Sequence, residues 1–547
     1  MKSEPKPKRK PSTGAPETEN LPLWVFAAAL VAGLIVYLPA LNGPFVFDDL
    51  TIEALQQAPD APLRFSLSGP RPLYYLSLQA QHRLHAGDPF PFHLVNWLLH
   101  AANTLLLFGI LRRYMRLGGL APPADRLAAG FGAGVFLLHP LNTEAVSYIA
   151  SRSEVLSALF AFLAWRLFLD RRQPRLPWAA AAGIVLLLAL GLGVKEHVIA
   201  LVAVLFLTDA VFGGLRANLR FYVPLGVLAA GAAVYLVSRL GNNTAGFGVA
   251  GVTPLSYLVT QGAVIWRYLQ LAVAPIGQSV DHGYPIAVSA LGVAGLAALA
   301  AASVYLWRNG PKLAWFGWLC FLACLAPTSS VVPIADAMVE RRMYLAMPGL
   351  ALVVAPWLKR LNVWTLAGIL VVFAVFTWQR NEKWGSAEGL WRDAVAGNPA
   401  NARAQFQLAY ALYLDGRCGE SVKHYELAGK HGGPVLGLYQ NWALALDCDG
   451  RAEEALAVLA REGDGGYARW ATEGMIQGKR GRAPEALAAL DRAIELNPNF
   501  AMSWVYRGNV LLAAGRREEA IAAFRRALEV DPDNAPARQA LALATGR

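Results

Sequence analysis

Apolar residues in this chain collect into long uninterrupted runs as far as about residue 380, and beyond that point they thin into a helical stripe. A helix that crosses a hydrocarbon layer needs about 20 predominantly apolar residues. About eleven runs reach or approach that length, at 23–41, 92–111, 127–140, 154–169, 177–194, 198–213, 221–238, 287–307, 313–330, 343–358 and 362–379. They predict a polytopic helical membrane domain over 21–380. The run 254–275 is interrupted by Arg267 and Gln270, and it predicts a helix lying along the interface or re-entering from one side.

From 386 to 547 the spacing is that of paired amphipathic helices. "RAIELNPNFA" (492–501) recurs as "RALEVDPDNA" (526–535), a period of 34 residues, which is the tetratricopeptide length. The unit at 501–534 carries Trp504, Gly508, Ala520, Phe524, Ala527 and Pro532 in phase. The unit at 467–500 carries Trp470, Gly474, Ala486, Leu490, Ala493 and Pro498. Small residues let the paired helices approach, and the Pro ends the second helix. Weaker units are predicted at 402–435 and 436–466, preceded by a half repeat with Ala387, Trp391, Ala394 and Pro399. The expected fold is therefore all-α: a membrane domain followed by an α-solenoid whose concave face suits an acceptor protein or peptide.

Composition agrees with this division. The chain is 55% hydrophobic, with a mean hydropathy of +0.36, which excludes an ordinary soluble globular protein. The net charge of +11 does not imply a nucleic-acid partner, because much of it lies in short loops. With Lys6, Lys8, Arg9 and Lys10 of a disordered 1–20 tail placed in the cytoplasm, the alternate loops carry Arg112, Arg113 and Arg116; Arg171, Arg172 and Arg175; Arg216 and Arg220; Arg308 and Lys312; and Lys359 and Arg360. This predicts an inner-membrane protein in the lipid bilayer, with its N-terminus cytoplasmic and its repeats outside.

The outward segments are different: "FVFDDLTIEAL" (45–55), "HPLNTEAVSYIASRSE" (139–154), "VKEHVI" (194–199), "SVDHGYP" (279–285) and "VERRMYL" (339–345). Ionisable groups at membrane depth are costly and mark functional sites. Asp48 and Asp49 are candidate carboxylates for taking a proton from a hydroxyl. Arg152, Lys195, Arg341 and Arg342 are candidate cations for a phosphate group.

These segments, with "RPLYYLSLQAQHRLHAGDPFPFHLVNWLLHAANT" (71–104), resemble the transmembrane and tetratricopeptide-repeat-containing O-mannosyltransferases. The resemblance covers nearly everything after residue 20, and 71–157 is its most specific part. It implies a GT-C glycosyltransferase that takes mannose or another hexose from a polyprenyl-phosphate carrier at the extracytoplasmic face. A bacterial setting, suggested by the Ala/Leu/Arg-rich composition, would make that face periplasmic. By alignment with the family's acidic pair, Asp48 is the implied base and Asp49 its neighbour, with the assignment between the two left open. Arg341, Arg342, Lys195 and Arg152 are implied to bind the donor phosphate. Glu144, His139, Glu196, His197, Glu340 and Tyr344 would line the substrate pocket, and Ser151 shares their loop. The same donor chemistry on a glycan or lipid acceptor, and a non-catalytic membrane-tethered scaffold, remain alternative readings.

No cofactor is assigned. Some Asp-containing members of the wider superfamily use a divalent cation, but no dense acidic cluster here calls for one. His93 and His100 share a helix face, and with His139 and His282 they do not have metal-site spacing; they read as satisfied interior histidines. "NNT" at 242–244 is a sequon by pattern only. Cys320 and Cys324 are read as reduced packing residues. Cys418 and Cys448 fall on turns of adjacent repeats and are predicted to pair.

Overall fold

The computed structural model describes residues 22–52, 71–85, 87–239, 245–247, 249–432, 435 and 437–546. The 1–20 tail and the 242–244 sequon lie outside them. Among the described residues every regular element is helical, and the one β contact is an isolated bridge between Ala245 and Ile334. The chain separates into two units: Met1–Gln278 with Tyr284–Gly385, and Ser279–Gly283 with Ser386–Arg547.

The first unit contains α1 (Leu23–Leu41), α2 (Pro72–His85), α3 (Pro89–Leu117), α4 (Ala124–Leu138), α5 (Arg152–Arg171), α6 (Trp178–Leu192), α7 (Ala200–Phe212) and α8 (Leu215–Arg239). It continues with α9 (Pro254–Val273), α10 (Ala290–Asn309), α11 (Lys312–Leu325), α12 (Met343–Leu358) and α13 (Val363–Trp384). Each predicted apolar run forms one of these helices. Among the described residues, five segments are long and apolar enough to cross a membrane: α1, α3, Leu215–Tyr235 of α8, α10 and α13. The other runs give shorter or more charged helices. They are cut where a polar turn starts, as at Glu196–Ile199 ahead of α7. The outward faces of the long helices are apolar, with Val371 of α13 and Leu291 of α10 both exposed, as a hydrocarbon surround requires.

Helix α9, the interrupted run, has its polar bonds at one end of the unit. The hydroxyl of Tyr257 donates to Thr328 O, Gln261 Nε2 to Ala337 O, and the hydroxyl of Tyr268 to Val339 O; near its C-terminus Ala272 O bonds His139 Nε2. These partners lie in the turns between α4 and α5 or between α11 and α12, whereas Thr260 and Trp266 donate to Ala287 O and Gly295 O, ahead of and within α10. Helix α9 thus touches both turns. It crosses the start of α10 so closely that a Cβ on Gly262 would come within 2.3 Å of Gly292 O. At the basic end of the helices, charge is paired internally: Arg172 bonds Asp209 at 2.5 Å, and Asp125 accepts from both Arg112 and Arg116.

The second unit begins with α14 (Ala387–Gly397) and continues as helix pairs: α15 (Ala402–Leu414) with α16 (Cys418–His431), α17 (Leu438–Cys448) with α18 (Ala452–Ala460), α19 (Tyr467–Lys479) with α20 (Ala483–Leu496), and α21 (Ala501–Ala513) with α22 (Arg517–Val530). Helix α23 (Ala535–Thr545) closes the array. A Cβ on Gly474 or Gly508 would sit 2.4 Å from Leu490 or Phe524, so the paired helices touch where the repeat places its glycine. Arg403 bonds Asp281 at 2.5 Å, and Asn401 and Asn398 bond the carbonyls of Asp281 and His282, which tie Ser279–Gly283 into this unit.

Cys418 and Cys448 form the predicted disulfide, with Cα atoms 5.8 Å apart. Cys320 and Cys324 are free and buried, as expected. The disulfide joins the start of α16 to the end of α17 and closes a 30-residue loop, a constraint worth about 3 kcal/mol on the unfolded chain. The double substitution Cys418→Ser, Cys448→Ser is expected to speed amide exchange across 402–460 in the full chain and to leave 483–530 unchanged. Equal protection in both regions would show that the bond carries no load.

Candidate functional site

The end of α1 leads into an extended strap and then a tight turn, Phe47–Thr51, that opens with Phe47 at φ +52°. A non-glycine residue in that region is strained and must be held by its surroundings. Side-chain bonds help to hold this turn. Val46 N donates to Asp49 Oδ2 at 3.0 Å, Ala150 N donates to Asp49 Oδ1 at 2.7 Å, and Asp48 N donates to the Tyr148 hydroxyl at 2.9 Å. The adjacent acids are thereby separated. Asp49 is 2% exposed beneath the turn, and Asp48 faces a cavity of about 760 Å³. That volume is in the range of small-molecule sites.

The segment 139–154 supplies the next wall. Glu144 accepts from Arg341 N at 2.9 Å and pairs with the Arg341 guanidinium. Ser151 Oγ is buried, lines the cavity and has no hydrogen-bond partner. Arg152, expected to bind phosphate, is 1% exposed and gives its guanidinium to Asn96 Oδ1 and Phe92 O, both at 2.9 Å. It fastens this segment to α3 and does not line the cavity.

From the turn after α6, Lys195 and His197 enter the cavity, and both meet Glu154: Lys195 in a direct ion pair, His197 at 3.6 Å. Burial pushes the His197 imidazole down to about 4, against the pull of Glu154, so it is neutral at pH 7. Glu196 turns to Arg71, with oxygens 2.7 to 3.2 Å from its nitrogens.

Before α12, Arg341 and Arg342 both line the cavity. Arg341 is committed to Glu144. Arg342 is held by neutral acceptors: Asp336 O at 2.6 Å, Ala337 O at 2.9 Å and the Tyr257 hydroxyl at 3.3 Å. Three expected pocket residues lie behind this wall. Glu340 is 1% exposed and accepts from Gln278 at 2.6 Å; His139 bonds Ala272 O and Leu141 N; Tyr344 turns inward to His100 and Asn103. Bulk and burial decide this, since each of the three finds its partner in the protein. His93 and His100 likewise bond Gly43 O and the Tyr344 hydroxyl.

The cavity also uses residues that carried no assignment: Arg71, Tyr74, Tyr75 and Gln79 from the start of α2, with Tyr148, Glu154 and Asp336. The signal for α2 was present in "RPLYYLSLQAQHRLH", where a helix with aromatic and amide side chains follows the acidic turn.

The tetratricopeptide repeat family model matches residues 379–431 and 472–536, leaving out α17 and α18. The chain is 23% identical over 433 residues to "Protein O-mannosyl-transferase F38B6.6" of Caenorhabditis elegans, covering 72% of this chain and 60% of that protein. It is 25% identical over 510 residues to "Protein O-mannosyl-transferase TMTC1" of Homo sapiens, covering 77% of this chain and 56% of that one. The chain thus spans little more than half the length of the curated relatives it matches. Among solved structures, a thermophilic TPR protein of Thermus thermophilus, TTC0263, matches over 32% of this chain and 95% of its own, at 21% identity and a TM-score of 0.27.

Burial raises the Asp49 carboxyl to about 8, against the two amides that lower it. The folded state therefore keeps a proton that the unfolded chain loses near pH 4, and stability falls as pH rises between about 4 and about 8. Thermal unfolding in detergent should show wild type losing more stability across that window than Asp49→Asn. Parallel curves would refute the assignment.

Proposed function

Because the chain is a relative of the transmembrane and tetratricopeptide-repeat-containing O-mannosyltransferases, we propose that it moves mannose from a polyprenyl-phosphate carrier to a hydroxyl of a protein acceptor at the extracytoplasmic face of a membrane. The observation that carries this is one cavity in which the exposed residue Asp48 shares the lining with Arg342, Lys195 and Arg341. Asp48 takes the acceptor proton as the oxygen attacks the sugar's anomeric carbon. The bond from that carbon to the phosphate oxygen breaks, and its electron pair leaves with the phosphate. Cations lower the energy of that developing charge. Arg342 is the first ligand proposed, because its charge is held by neutral acceptors, and Lys195 is the second. Arg341 contributes through its pair with Glu144. Asp49 supports the turn. Ser151 offers a hydroxyl to the sugar.

The relatives' printed activity supports a mannosyl group and a protein acceptor. The repeats, in this reading, recruit that acceptor. The short basic loops and the five long apolar helices support a multi-pass membrane protein with the cavity and repeats outside, periplasmic in a bacterium. A reporter active only outside the cytoplasm, fused after Arg547, is expected to be active; a signal confined to the cytoplasm would overturn the orientation.

Asp48→Asn should abolish transfer from polyprenyl-phosphate mannose while the melting temperature and donor binding stay near wild type. Arg342→Ala should weaken donor binding by about tenfold, the loss expected of one charge-assisted hydrogen bond. Retained transfer in the first variant, or unchanged donor affinity in the second, would sink the respective role. Arg341→Ala is a poorer probe, because stranding Glu144 costs about 3–5 kcal/mol of stability.

A further inference from the structure

One side chain touches both ends of the proposed chemistry. Tyr148 is 1% exposed, yet it lines the cavity. Its hydroxyl accepts the Asp48 N–H at 2.9 Å. Its ring lies 6.0 Å from the Arg341 guanidinium carbon, in cation–π range. The ring stacks on Trp384 at 5.7 Å with planes 27° apart, and its carbonyl accepts from Asn96 at 3.2 Å. Both the ring plane and the backbone are thus fixed from behind.

Resting on the function proposed above, we propose that Tyr148 is the positioning residue that sets the base against the leaving-group cations. Its hydroxyl holds Asp48 through the backbone, and its ring face holds Arg341. The turn it grips contains Phe47 at φ +52°, a conformation that relaxes once its restraints are removed. The two bonds of Asp49 clamp the same turn to Val46 and Ala150. Loss of the Tyr148 hydroxyl therefore removes one restraint on the Asp48 backbone while Asp49 still holds the segment, and the two functions of Tyr148 are separable by substitution. Tyr148→Phe removes the oxygen and keeps the ring. Tyr148→Leu removes both.

The test uses the full chain in detergent, radiolabelled polyprenyl-phosphate mannose as donor and a mixture of Ser/Thr-containing peptides as acceptor. Tyr148→Phe should lower kcat about tenfold, the worth of one hydrogen bond that fixes the position of the base, with donor affinity unchanged. Tyr148→Leu should lower kcat at least as far and also weaken donor affinity. A purely structural role would move both parameters together in both variants and would overturn the proposal, as would a Tyr148→Phe kcat equal to wild type. Amide exchange over 46–50 gives a reading independent of turnover. Tyr148→Phe should accelerate it there and leave 149–152 protected; unchanged exchange over 46–50 overturns the anchor. If wild type transfers no mannose, the proposed function fails, and the exchange result alone decides whether Tyr148 anchors Asp48.

Discussion

A charged side chain at the edge of a hydrocarbon layer has to be met by an opposite charge or by hydrogen bonds, because desolvation otherwise costs more than the fold supplies. Most of this unit's polar architecture follows from that constraint. Arg71 meets Glu196, Lys195 meets Glu154 and Arg341 meets Glu144. At the other end of the helices, Arg172 meets Asp209 and Asp125 takes two arginines. Arg152 is satisfied by an amide and a carbonyl. These partners fasten turns to helices that are far away in the chain, so satisfying the charges also builds the cavity wall.

The same constraint sorts candidates by role. An ionisable residue that has found a complete set of partners inside the protein is fixed in place and unavailable to a ligand. That removes Arg152, His139, Glu340 and Tyr344 from the cavity and makes Asp49 a support. Asp48 is exposed at the cavity wall, and its backbone N–H is held by the Tyr148 hydroxyl. Arg342 stands apart because neutral groups hold its cation. A proton acceptor and a phosphate ligand both need this combination of fixed position and open reach.

The repeat unit is held together differently. Small residues at the repeat positions let helix pairs close, as at Gly474 and Gly508. The stretch that the family model passes over, between 431 and 472, contains the short helices α17 and α18. The Cys418–Cys448 bond ties that divergent pair to the one before it. A covalent link placed where the repeat pattern is weakest keeps the array continuous, which nearest-neighbour stacking requires.

The sequence by itself determined what short spacing encodes. Apolar runs located the helices of the first unit, and a 34-residue period located the repeat helices. Two cysteines on adjacent turns named their bond. The "DD" of Asp48 and Asp49 and the "ERR" of 340–342 drew attention to a turn and a loop that line the same cavity. What the sequence left undecided was which of Asp48 and Asp49 faces the cavity, and which residues of 71–85 join it. Only the tertiary structure decided that. Asp48 depends on a partner 100 positions away, Arg71 on one 125 away and Arg341 on one 197 away. Periodicity reports which side of a helix is apolar, because neighbours three and four residues apart share a face. It carries no information about which distant charge will satisfy which.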